Sequence, residues 1–338
     1  MVASYYLLKP FYSLAWRLLN LFCKRRETVF YCHSTVDMQN WLPIQKYLIP
    51  LRIVSDKAHT RKALRQMGYR VSPLPAFPKA VIMCRVASHK FPSRKVIKIG
   101  MTHGAYHFKR IGSASHYKPF SLYLYTSPKD LANAQARGIS CGKVGGYPKL
   151  DPYLNQTKSS SPANAKKRIV FTATYDSSGM SGIHLWLDKL PELTGKYDIY
   201  VSLHPWMNTD IVKRITAMPN VTYLKDMPLQ AIWEADACIV DSSSIIGECC
   251  AFDKPMISWK IPPTPRSVPE IEALLPTISL RISTFDELPA AIERALSNPE
   301  EQRAGRAAAN AIFFDRLDGK AGERSAQKIL KLLPELKP

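Results

Sequence analysis

The chain has 338 residues, of which 46% are hydrophobic and 22% are charged, an ordinary globular composition with enough apolar material for two domains. Its formal net charge of +20 favours an anionic partner: nucleic acid, an anionic membrane or a phosphorylated substrate. No arginine-rich arm, zinc-finger spacing or aromatic RNA-binding signature is present, so nucleic acid is not expected as a partner.

The N-terminal segment predicts an amphipathic helix over residues 4–23. Apolar residues recur at helical spacing on one face and polar or basic residues on the other: Leu7, Phe11, Leu14, Leu18 and Phe22 against Lys9, Ser13, Arg17, Asn20 and Lys24. Charged residues and a proline interrupt the stretch, which makes it a poor membrane-spanning helix. We predict that residues 1–26, ending in Lys24-Arg25-Arg26, lie in the plane of an anionic membrane; the alternative is a helix packed on its own domain.

Short apolar runs then alternate with helical segments, which predicts parallel sheets covered by helices. The predicted strands are Thr28–Cys32, Leu51–Val54, Ala80–Val86, Val96–Ile99 and Leu122–Tyr125, followed by Arg168–Thr172, Ile199–Leu203, Val221–Leu224, Ala237–Val240, Met256–Ser258 and Ile278–Ile282. Residues 156–165 carry no apolar periodicity and read as a linker. We therefore predict an α/β domain over 27–155 and a second over 166–338 that ends in a long helix. Two such domains resemble the GT-B architecture, in which two Rossmann-type, doubly wound domains face a cleft.

The segment after the predicted strand Ala237–Val240 is the most informative part of the chain. The strand ends in Asp241, Ser242, Ser243 and Ser244, and a helical stretch follows. Unpaired backbone N–H groups at the start of a helix suit a phosphate. Glu248 lies one helical turn further on and could reach a ribose hydroxyl. The alternative is a helix that Ser244 merely caps.

Two histidines also follow predicted strands. His103-Gly104 comes after Val96–Ile99, and a histidine at a strand end is a candidate general base. The cations Lys109 and Arg110 follow within a few residues and could offset a substrate phosphate. His204-Pro205 comes after Ile199–Leu203 and could donate to a diphosphate oxygen. Either histidine could instead be structural.

Two further segments carry charged candidates. Gly145-Gly146-Tyr147-Pro148-Lys149-Leu150-Asp151 marks a tight turn, in which Lys149 and Asp151 could contact substrate or simply shape the turn. Asp318-Gly319-Lys320 opens the last helix, which places Lys320 and Arg324 on one face, four residues apart. They could reach a phosphate or form part of a solvated face.

Taken in order, these elements resemble the CDP-glycerol glycerophosphotransferase family of teichoic-acid and capsule synthesis. The matching residues span about 100–330: His103-Gly104 with Lys109 and Gly112, Gly146 to Asp151, His204-Pro205, Asp241 to Ser244 with Lys254-Pro255, and Asp318 to Arg324. Some positions depart from the family pattern. Thr102 and Ala105 flank the His-Gly motif in place of tryptophan and threonine, Lys149 replaces arginine, Ser242 replaces tyrosine, and Ala173-Thr174-Tyr175 lacks an expected arginine.

The resemblance implies a peripheral transferase at the cytoplasmic face of the membrane that moves glycerol phosphate, or a similar polyol phosphate, from a CDP-activated donor to a hydroxyl of a lipid-linked or surface glycan, releasing CMP. His103 would be the base in an N-terminal acceptor domain. The C-terminal domain would bind the donor, its diphosphate held by His204, the serines, Lys320 and Arg324. Neither a cofactor nor a metal is expected, since no paired carboxylates demand one and the seven cysteines show no CxxC pairing.

Two alternatives stay open from the sequence. The first is a GT-B glycosyltransferase that uses a sugar nucleotide, favoured by Glu248 and by the arginine missing at Tyr175. The second is a non-catalytic basic scaffold that binds membrane or nucleic acid through charge alone.

Overall fold

The computed structural model describes residues 3–22, 27–105, 112–156, 165–225, 228–265 and 267–338, which form two compact units. The first unit contains the described residues up to Ala105, those from Gly112 to Asn155, and the C-terminal stretch Phe313–Pro338. The second unit spans Gln156–Ile312. Most of the predicted linker lies outside the described residues.

The described part of the first unit contains a seven-stranded parallel sheet with the order β3-β2-β1-β4-β5-β6-β7. Its strands are β1 (Thr28–Tyr31), β2 (Arg52–Ser55), β3 (Val71–Pro73), β4 (Ala80–Met83), β5 (Ile97–Met101), β6 (Leu122–Tyr125) and β7 (Gly142–Val144). Strands β1, β4 and β6 are buried throughout, because both faces of the sheet are covered. Phe30 packs into the core on one face, and its neighbours Val29 and Tyr31 into the core on the other.

Helices join and cover these strands. They are α1 (Ala3–Phe22), α2 (Val36–Gln45), α3 (Ala58–Gln66), α4 (Pro128–Ala136) and the short α5 (Asp151–Leu154). Helix α2 and the strands β3 and β7 were not predicted from the sequence. Helix α2 shows no apolar stripe because Asp37 and Asn40 are buried on it, and each of the two missed strands has only three residues.

The described part of the second unit contains a six-stranded parallel sheet with the order β10-β9-β8-β11-β12-β13. Its strands are β8 (Lys167–Ala173), β9 (Tyr197–Leu203), β10 (Val221–Tyr223), β11 (Ala237–Val240), β12 (Met256–Trp259) and β13 (Leu280–Ile282). Its helices are α6 (Ile183–Trp186), α7 (Thr209–Thr216), α8 (Pro228–Glu234), α9 (Ile245–Ala251), α10 (Pro269–Ile278), α11 (Leu288–Ser297) and α12 (Arg303–Phe313). Both sheets therefore confirm the predicted doubly wound α/β architecture. The strand order reverses at β1/β4 and at β8/β11, which is where such sheets bind ligands, at the carboxyl ends of the strands.

The last helix, α13 (Ala321–Leu332), belongs to the first unit, whereas we expected residues 166–338 to form one domain. Its apolar side chains Ala326 and Ile329 are fully buried in the first unit's core. A Cβ at Gly322 would lie 2.4 Å from the carbonyl oxygen of Pro43 on α2, so the two helices pack at backbone distance. The helical tail expected over Glu300–Leu333 is broken into α12 and α13.

Candidate functional site

Asp241 directly follows β11 and fixes the serine loop, defined here as Asp241–Ser244. Its side chain is 1% exposed, and its Oδ2 accepts the N–H of Thr174, at the end of β8, over 2.6 Å. Gly182 and Ser243 lie close enough to this carboxyl group to lower its pKa. The loop is thus tied across the point where the strand order of the second sheet reverses.

The three serines of this loop have different roles. The Ser243 hydroxyl is buried and lies near the Asp241 carboxyl group. Ser242 donates to Glu272 Oε1 over 3.1 Å. Ser244 is the N-cap residue of α9, as the alternative interpretation expected, but its side chain makes no capping hydrogen bond. The half-buried Ser244 hydroxyl is therefore the one that suits a ligand, and Ser243 supports the loop.

Glu272 is the acidic residue at the serine loop that the sequence analysis missed. It lies on α10 and is half-buried beside Ser242. Glu248, which we expected to reach a ribose, is only 3% exposed and lies in the buried part of α9. Glu272 is thus a second carboxylate at the loop, and the ribose contact of Glu248 stays a prediction. Pro269 and two early glutamates mark the start of α10 in the sequence, but no local signal pairs Glu272 with a serine 30 residues away.

His204 follows β9 with its ring orientation fixed. The N–H of Trp206 donates to His204 Nδ1 over 3.1 Å, so in the neutral ring Nε2 carries the proton. The rings of Tyr175 and Trp206 lie 5.0 and 5.3 Å from the imidazole, and Trp206 is 72% exposed. The predicted role of His204 as a hydrogen-bond donor to an anion agrees with this tautomer.

Burial raises the pKa of Asp241 to about 7, well above the ordinary value of 3.8. The folded state therefore holds the proton more tightly than the unfolded state, and the free energy of unfolding should fall as pH rises from about 4 to about 7, by up to about 4 kcal/mol. Asp241→Asn removes this titration and should flatten the decline. Urea unfolding at pH 4–8 measures the slope, with the exposed Asp210→Asn as control; an unchanged slope in Asp241→Asn would place the proton elsewhere.

His103 lies in the first unit, just beyond β5. Thr102 before it is buried and donates its N–H to Leu124 O over 3.2 Å, while His103 and Gly104 are half-buried. The chain thus holds the histidine at the carboxyl edge of the first sheet, as predicted. Lys109 and Arg110 lie outside the described residues.

The turn from Gly146 to Asp151 has a structural role in the first unit. Asp151 accepts the N–H groups of Ala321 (3.1 Å) and Gly322 (2.7 Å), so its carboxylate caps the first turn of α13. Gly146 adopts φ +86°, and Lys149 is 7% exposed. These contacts favour the turn-shaping alternative over substrate contacts by Lys149 and Asp151.

Arg324 and Lys320 also belong to the first unit and not to the unit of the serine loop, where we expected them to hold a donor. Arg324 Nη1 bonds both carboxylate oxygens of Asp318 at 2.7 Å, and its Nε lies 3.4 Å from Asp315. The arginine charge is therefore already compensated by two carboxylates. Lys320 is exposed at the start of α13.

Two doubly wound α/β units with polar side chains at the carboxyl ends of their strands give the chain a GT-B-like fold. A family model described as CDP-Glycerol:Poly(glycerophosphate) glycerophosphotransferase matches residues 100–331. The chain belongs to this family. No curated protein matches the sequence.

Solved structures share the fold at low sequence identity. The wall teichoic acid polymerase TagF superposes with a TM-score of 0.67 at 12% identity, covering 97% of this chain and 98% of that one. The putative UDP-N-acetylglucosamine 2-epimerase from Listeria monocytogenes superposes with a TM-score of 0.61 at 13% identity, covering 92% of this chain and 98% of that one. S. aureus MnaA with UDP superposes with a TM-score of 0.63 at 12% identity, covering 93% of this chain and 99% of that one.

Proposed function

We propose that this chain transfers glycerol phosphate, or a similar polyol phosphate, from a CDP-linked donor to a hydroxyl of a lipid-linked or surface glycan, releasing CMP. The second unit binds the donor and the first presents the acceptor. The observation that carries the proposal is the serine loop after β11 together with His204 after β9, on either side of β8, within a chain of the glycerophosphotransferase family. TagF, a wall teichoic acid polymerase of the same fold, has been soaked with CDPG as a histidine variant.

The donor site has the groups that a diphosphate needs. Ser244 offers a hydroxyl that α9 does not use, and His204 offers an N–H at Nε2 whose orientation Trp206 fixes. Glu272 beside Ser242 can accept from a ribose hydroxyl. Positioned donors of this kind stabilise the charge that builds up on transferring phosphoryl groups.

The chemical step follows from these roles. His103 accepts the proton of the acceptor hydroxyl, whose oxygen attacks the β-phosphorus of the donor. A new P–O bond forms, the bond from that phosphorus to the bridging oxygen breaks, and CMP leaves with the bridging oxygen. His204 stabilises the negative charge on the diphosphate.

Thermal stabilisation by a nucleotide panel tests the donor. CDP-glycerol and CDP-ribitol should raise the melting temperature of the wild-type chain more than UDP-GlcNAc or GDP-mannose do, because a ligand that binds only the folded state stabilises it. Ser244→Ala should weaken CDP-glycerol binding about tenfold, as expected for one hydrogen bond to a charged group. Ser297→Ala is the matched control. A shift confined to uridine or guanosine compounds would instead indicate a sugar-nucleotide transferase.

We further propose that α1 holds the protein on an anionic membrane. Tyr12 Oη donates to Ala76 O over 2.6 Å and Trp16 Nε1 to Pro78 O over 2.7 Å, so one face of the helix docks on the first unit. Large apolar side chains elsewhere on α1 stay exposed: Leu7 71%, Leu8 59%, Phe11 72%, Leu14 56%, Leu18 48% and Leu21 77%. Such a patch is typical of a helix lying in the membrane interface.

No helix within the described residues is long and apolar enough to cross a bilayer. The basic cluster at residues 24–26 lies outside the described residues.

Phe11→Ser with Leu14→Ser should release the protein from anionic liposomes. Each buried side chain of this size contributes about 1.5–3 kcal/mol to partitioning, so the double variant should lose at least about a hundredfold in affinity. Liposome co-sedimentation measures this, and Leu332→Ser, which alters an exposed leucine on α13, should bind like the wild type. Undiminished binding of the double variant would contradict the membrane role of α1.

A further inference from the structure

A second polar cluster lies at the carboxyl ends of β1, β2 and β4, where the strand order of the first sheet reverses. We call it the switch-point cluster and define it as Tyr31, His33, Asp56, Lys57 and Arg85. None of the roles assigned above uses these residues. Open α/β sheets bind ligands at this position, so the cluster lies where a ligand of the first unit is expected.

Arg85 presents part of its guanidinium to this site. Its Nη2 donates to Ser34 Oγ over 3.1 Å and lies 3.3 Å from Asp37 Oδ1. Asp37 Oδ2 also accepts the N–H groups of His33 and Ser34, and this aspartate is 0% exposed. The Nε atom of Arg85 has no hydrogen-bond partner among the described residues. Its Nη1 atom forms no hydrogen bond or ion pair with those residues either. The side chain is 30% exposed, so Nη1 can bind an anion.

The Nε2 atom of His33 is a hydrogen-bond acceptor, because the other ring nitrogen carries the proton. Tyr31 Oη donates its single proton to Asp56 Oδ1 over 2.8 Å and lies 3.2 Å from His33 Nδ1. Since that proton is committed to Asp56, Nδ1 must carry the proton of this contact. Burial, and then the charges of Arg85 and Lys57, lower the pKa of His33, so the ring is neutral at pH 7. Its Nε2 therefore carries a lone pair that can accept from a hydroxyl.

The charges at these strand ends favour an anion. Lys90 pairs with Asp56 Oδ2 at 2.7 Å, and Arg61 Nη1 bonds the carbonyl oxygen of Ser55 over 3.0 Å. With Arg85 and Lys57 they bring four cations against the carboxylates of Asp37 and Asp56. A half-buried guanidinium and a half-buried ammonium beside an acceptor nitrogen match a phosphate that carries a neighbouring hydroxyl.

We propose that the switch-point cluster binds a polyol phosphate, with Arg85 and Lys57 on the phosphate and His33 Nε2 accepting from a hydroxyl. The inference rests on the proposed function in one respect: the polyol phosphate is taken to be part of the acceptor. The cluster then holds the acceptor in the first unit, while the serine loop holds the donor in the second.

Calorimetric titration of the full chain with sn-glycerol 3-phosphate, inorganic phosphate and glycerol tests the site. The wild type should bind sn-glycerol 3-phosphate saturably and more tightly than inorganic phosphate, and glycerol alone weakly. Arg85→Lys keeps a positive charge beside Asp37, so the chain should stay folded, but affinity should fall at least tenfold. His33→Asn keeps a donor to Tyr31 and loses the acceptor, which should abolish the preference over inorganic phosphate. His33→Gln places an oxygen near the Nε2 position and should retain the preference.

Two results would overturn the proposal: no saturable binding of sn-glycerol 3-phosphate, or equal binding by wild type and Arg85→Lys. Nitrogen NMR of His33 gives a second readout, and a proton on Nε2 in the free protein would refute the assigned acceptor. Titration with CDP-glycerol separates this inference from the proposed function, because the Arg85 and His33 variants should bind the donor like the wild type. If CDP-glycerol fails to bind while the binding of sn-glycerol 3-phosphate still requires Arg85, the proposed function is refuted and the switch-point site is supported. If transfer proceeds and Arg85→Lys leaves the KM for the acceptor unchanged, the switch-point site is refuted and the proposed function is supported.

Discussion

His103→Asn is expected to lower kcat for polyol-phosphate transfer about 10²–10⁴-fold, the usual contribution of a general base. Asparagine is polar and of similar bulk near the backbone but cannot accept a proton at neutral pH. CDP-glycerol binding should be unchanged, because His103 belongs to the first unit and the serine loop to the second. Steady-state kinetics combined with titration of CDP-glycerol would show a loss in kcat with an unaltered donor affinity.

The matched control for this experiment is His116→Asn, which changes an exposed histidine of the same unit. It should retain wild-type kcat. If His103→Asn stays within a few-fold of the wild type, His103 is not the base, and His33 becomes the histidine of the first unit to test next. If donor binding falls together with kcat, His103 contributes to the donor site and not to proton transfer alone.

The features that could be predicted from sequence are those with a local physical signal. Strands such as Ala237–Val240 are continuous apolar runs because parallel strands are buried on both faces. The serine loop and the two histidines follow strand ends, and the carboxyl ends of parallel strands are where ligands bind. The position of His103, His204 and Asp241 in the fold was therefore predictable, although the burial of the Ser243 hydroxyl was not.

The features that sequence could not supply depend on contacts between distant segments. The return of α13 to the first unit depends on Gly322 packing against Pro43, and on Asp151 accepting two N–H groups some 170 residues further along the chain. The pairing of Ser242 with Glu272 is of the same kind. A charged residue near a motif looks the same in sequence whether it binds a ligand or caps a helix, which is why the sequence left both roles open for Asp151 and for Arg324.

His204→Asn and His204→Gln should separate the two nitrogens of this ring. Asparagine places an oxygen near the Nδ1 position, so it can still accept the N–H of Trp206, but it has no donor near Nε2. Glutamine places an amide N–H near the Nε2 position and loses the acceptor for Trp206. If Nε2 donates to the diphosphate in the transition state, the asparagine variant should lose about 10²–10³-fold in kcat, as for an oxyanion-hole donor. The glutamine variant should lose only about tenfold.

The comparison remains informative if either substitution disturbs the turn. Melting temperatures report the Trp206 contact, so glutamine should be the less stable of the two variants and asparagine the less active. A purely structural role of His204 predicts that activity follows stability. The two variants would then rank in the same order by melting temperature and by kcat. Equal losses of kcat in both variants would mean that the imidazole acts through its own titration, and wild-type activity in His204→Asn would remove His204 from the site.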